Sequence, residues 1–155
     1  MATEADTEFS FDEDDLGPVT AAVTRVAATG RGWVNLIPDL EGDQEPPGRN
    51  LFAAIFLSRG PTVPLATVAP SGRGDGRLSI GLQHPGGTKA ITRLAEHGLE
   101  LRPGWLKVGD HPKRGMVIST PDDDPEDVIW WLLTASHLLG SIPLNGSWTA
   151  RVYDP

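Results

Sequence analysis

Residues 124–140 hold the pattern that most limits what this chain can fold into. Asp124 can cap a helix, Pro125 suits its first turn, Glu126 and Asp127 complement the positive end of its dipole, and Gly140 closes the run. Between these punctuation marks Val128, Trp131, Leu132, Ala135, Leu138 and Leu139 recur at i, i+3, i+4, i+7 spacing. A long helix with one continuous apolar face must be covered, so the rest of the chain has to supply a sheet or further helices against it.

The remaining patterns supply both. Asp15 as cap, Pro18 in the first turn and Val19, Ala22, Val23, Val26 and Ala27 at helical spacing predict a helix ending at Gly30. A second helix is expected over Thr88–His97, with Ile91, Leu94 and Ala95 on its apolar face and Gly98 at its end. Short strands are expected at Trp33–Ile37, Leu51–Ser58, Leu65–Ala69, Leu78–Leu82, Trp105–Val108, Gly115–Ser119 and Trp148–Tyr153, separated by Gly- and Pro-rich connections. The reading is an α+β domain over residues 16–155: a mainly antiparallel sheet of five or six strands with three helices mostly on one face.

Charge separates the N-terminus from this body. Residues 1–15 hold seven acids and no base out of a net charge of -8, so the remainder is near neutral. That segment reads as an acidic disordered tail, because it offers little apolar surface to offset the entropy of ordering. A near-neutral body with an acidic tail lacks the positive field that nucleic-acid binding demands. No apolar run is long enough to span a bilayer, and a cytoplasmic location is expected. The absence of cysteine removes disulfides, thiolate metal sites and thiol nucleophiles.

Two surfaces are candidates for function. The first is a second stripe on the last helix, Trp130, Leu133 and His137, which would present Trp130 to a partner protein or a second copy of the chain. The alternative is an anion or phosphometabolite site built from two His-Pro turns: His84, Gly86, Gly87 and Lys89 from one, His111 and Arg114 from the other. In that arrangement Asp110 would orient His111 as an acid/base and the cations would steady negative charge. The Gly-rich turn lacks the spacing of a P-loop, Ser136 and His137 diverge on their helix, and the four histidines lack metal-ligand spacing. Hydrolase chemistry, a metal and a cofactor are therefore not expected, and the sequence favours a non-enzymatic role.

Leaving aside the strands at Trp33 and Trp148, the element order over about residues 16–139 is helix, three strands, helix, two strands, helix. With the Leu94-centred helix, the Asp110/Gly115 strand turn and the acid-capped third helix, this order resembles type III secretion chaperone-like domains and the bacterial sensory domains that share their fold. The resemblance implies a protein-binding or adaptor module, often dimeric, with no catalytic residues to carry over.

Overall fold

The computed structural model describes residues 5–39, 63–71, 77–85, 89–111, 115–121, 124–140 and 144–153. In chain order these form β1 (Thr7–Asp12), α1 (Gly17–Thr29), β2 (Trp33–Pro38), β3 (Leu65–Pro70), β4 (Leu78–Gln83), α2 (Ala90–Glu96), β5 (Leu106–His111), β6 (Gly115–Thr120), α3 (Pro125–Leu139) and β7 (Ser147–Tyr153). The strands make one antiparallel sheet in the order β1-β7-β2-β3-β4-β6-β5. The α+β class is as the patterning implies, with seven strands among the described residues instead of five or six. The strand expected at Leu51–Ser58 and the loop before it lie outside the described residues, apart from Asp39.

The additional strand overturns the reading of the N-terminus. Residues 7–12, expected to be a solvated tail, pair with β7 from Thr7↔Val152 to Asp12↔Ser147. Phe9 and Phe11 alternate with polar residues, so both reach the core face. Phe11 is only 6% exposed and stacks on Trp148, with ring centroids 6.5 Å apart. Two aromatic rings anchor a six-residue strand whose acidic composition disguises it.

Strand register explains where the core sits. Phe11↔Trp148, Ala150↔Leu36, Leu36↔Ala66, Ala66↔Leu82 and Leu82↔Met116 run across the sheet on one face, and each of these residues is buried. On this face α1 packs against β2 and β3, α3 against α1 and β3, and α2 against α3. Alternate residues, among them Ser79, Thr67, Asn35 and Arg151, belong to the opposite face. One close approach needs glycine: a Cβ at Gly115 (φ +81°) would lie 2.0 Å from the Leu82 carbonyl oxygen, so β6 starts hard against the backbone of β4.

The helix ends differ in how well their residues foretold them. At α3, Asp124 accepts a hydrogen bond from the Glu126 N–H at 3.0 Å, the cap its sequence predicts. At α1 the cap position falls on Leu16, and the Asp15 carboxylate instead accepts from the Gly17 N–H at 3.2 Å. Gly30 (φ +67°) closes α1, its N–H bonded to the Val26 carbonyl. The described part of α2 buries Ala90 and Leu94, while Ala95, expected on its apolar face, is exposed.

Candidate functional site

Because α3 is wedged between the sheet and the other two helices, its buried arc is wider than one stripe. Val128, Ile129, Trp131, Leu132, Leu133, Ala135, Ser136 and Leu139 are all buried. Leu133, expected on an outward stripe, is fully buried, whereas Leu138, expected in the core, is 39% exposed. The outward face is Glu126, Trp130, His137 and Leu138, with Thr134 half-buried between them. Leu133 thus leaves the proposed stripe, while Trp130 and His137 stay on it.

Trp130 is 53% exposed, in contrast to its neighbour Trp131 at 4%. Trp131 tilts against Trp105, and its indole Nε1 donates to the Glu100 carbonyl at 3.0 Å. Trp130 instead borders a depression of about 200 Å³ lined by Glu13, Asp14, Leu16, Glu126 and Asp127. Two of these acids are engaged nearby. Glu13 accepts from His137 Nε2 at 2.6 Å, and Asp127 meets Arg102 at 3.3 Å. The turn after β1 therefore supplies half of the acidic rim, and Glu13 and Asp14 were missed as site residues because they fall in the segment read as a tail. The depression joins an apolar ring to carboxylates, a combination suited to burying a partner side chain and steering a basic one.

His84 and His111 lie at the same end of the sheet, but in opposite phases, so their imidazoles do not converge. His84 follows β4 in the core-facing phase and is 0% exposed, while His111 pairs with Gly115 in the opposite phase and is exposed. Asp110, expected to orient His111, shares the core-facing phase with its register partner Met116, and its charge acts on His84. Burial holds the His84 pKa below its ordinary value; Asp110 opposes that shift and Arg93 reinforces it. A neutral, enclosed imidazole offers an anion neither charge nor access. Lys89 is exposed in left-handed backbone (φ 62°) at the head of α2, and Gly86, Gly87 and Arg114 lie outside the described residues.

Among the described residues no group of three or more His, Asp or Glu is placed to hold a metal ion, and no helix is long and apolar enough to cross a membrane. Comparison with protein-family models, curated proteins and solved structures finds no match. The functional reading therefore rests on the geometry of the chain itself.

Proposed function

We propose that the protein is a non-enzymatic protein-binding module, an adaptor or chaperone-like domain acting in the cytoplasm, with Trp130 as the anchor that a partner buries. The observation that carries this reading is the 53% exposure of Trp130 on a helix that otherwise buries most of its large apolar residues. Tryptophan is the residue type most often found at the energetic centre of an interface, because it brings a large rigid area at small entropic cost. Glu13, Asp14, Glu126 and Asp127 form a polar rim that favours a partner carrying Lys or Arg beside an apolar residue. Resemblance to the chaperone-like domains points to the same class of activity.

Matched affinity captures from native lysate with the wild type, Trp130→Ala and Trp130→Phe test it, with captured proteins identified by mass spectrometry and rebound in purified form. The reading expects a partner held by the wild type and Trp130→Phe and lost from Trp130→Ala at unchanged melting temperature. Identical partner sets on all three baits would contradict it.

A further inference from the structure

We infer that β5 is the seam of a homodimer, in which this edge strand pairs antiparallel with β5 of a second copy about a two-fold axis normal to the sheet. Among the described residues the strand lies outermost in the sheet order, so one row of its backbone N–H and C=O groups faces away from β6. Its Leu106 and Val108 are 61% and 68% exposed, the most exposed large apolar residues among those described. They flank a groove of about 420 Å³ that also includes Val117, Ser119 and Arg77. Edge strands are normally blunted with charge and kept free of such residues, which makes the pair a feature to be explained.

Charge complementarity selects the second copy as the occupant and also selects the register. With the axis between Val108 and Gly109, Lys107 faces Asp110 of the second copy, Leu106 faces His111, and Val108 faces Gly109. Lys107 pairs with Ile118 and Asp110 with Met116 inside one copy, both core-face partners, because the bulge at Val108 resets the phase between them. Lys107 and Asp110 therefore share a face, and an axis normal to the sheet preserves faces. The result is two symmetric cross-strand Lys–Asp pairs. Asp110 Oδ1 is enclosed within its own copy, so Lys107 of the second copy would meet the other oxygen of the half-buried carboxylate. Gly109 has nothing within 4 Å of where a Cβ would stand, which leaves room for the opposing Val108.

Moving the axis onto Val108 would set Leu106 against the carboxylate of Asp110 and leave Lys107 opposite Gly109, losing both charge pairs. A six-residue seam is small, so association should be weak and concentration-dependent. The seam is on β5 and Trp130 is on α3, so this inference stands independently of the proposed partner site.

Sedimentation of the full chain from low-micromolar to submillimolar concentration tests it. A monomer–dimer equilibrium is expected. Val108→Lys and Lys107→Glu, both at exposed positions, should each weaken it by about tenfold or more, while melting temperature holds and Trp130→Ala changes nothing. A wild type that stays monomeric throughout overturns the inference, as does a dimer indifferent to Val108→Lys. A dimer weakened by Val108→Lys but indifferent to Lys107→Glu overturns the register, and one abolished only by Trp130→Ala moves the seam to α3.

Discussion

Replacing Phe11 by Ala should destabilise the protein strongly although the residue lies in an acidic N-terminal segment. The side chain is 6% exposed and stacks on the fully buried Trp148 at an interplanar angle of 18°. Burying about 150 Å² of ring at about 25 cal/mol per Å² is worth about 4 kcal/mol. Strand β1 is at the sheet edge among the described residues and can partly collapse into the space, which lowers the expected loss to about 3 kcal/mol. For a chain of this length that is a fall in melting temperature of about 6–12 °C. Thermal unfolding followed by circular dichroism measures it, with Ser10→Ala as control, since Ser10 is exposed on the same strand and should cost less than about 0.5 kcal/mol. A fall below about 2 °C for Phe11→Ala would show that β1 does not cover Trp148, and the reasoning from register to packing would fail.

Two further outcomes follow from burial. Trp131→Ala should cost about 3–5 kcal/mol in denaturant unfolding, because it opens a cavity beside Trp105 and orphans the Glu100 carbonyl, whereas Trp130→Ala should cost less than about 1 kcal/mol; equal losses would mean that Trp130 is buried. His84, held below its ordinary value of about 6.5 by burial, binds its proton less readily in the folded than in the unfolded chain. Stability should therefore fall as pH drops from about 6.5 through the lowered folded-state value, and His84→Gln should flatten that part of the profile; parallel profiles for the two proteins would contradict the assignment.

How much of this was legible in the sequence depends on how local each signal is. The caps of α3 and the core position of Trp131 were readable because Asp124, Pro125, Gly140 and the apolar spacing lie within one element. Strand β1 was hidden because Phe9 and Phe11 give only two turns of alternation among acids, and composition outweighed them. The misplacing of Leu133 and Leu138 has a packing cause: the arc a helix buries depends on how many neighbours enclose it, and α3 has neighbours on three sides. The His84–Asp110 proximity was beyond reach, since it is created by the β4-β6-β5 register and by the bulge at Val108. Trp130 could be singled out from the sequence as a candidate anchor on a second stripe, but half of its acidic rim, Glu13 and Asp14, comes from a turn distant in sequence.

The central claim, that Trp130 anchors a protein partner, is tested most directly by photo-cross-linking in cells. A benzoylphenylalanine at position 130 is compared with one at position 28, an exposed alanine of α1. The account predicts a discrete cross-linked species from position 130, absent from position 28 and competed by excess unlabelled wild-type protein but not by Trp130→Ala. Adducts equal in pattern and yield at the two positions, or no adduct at position 130 in cells that contain the native partners, would contradict it.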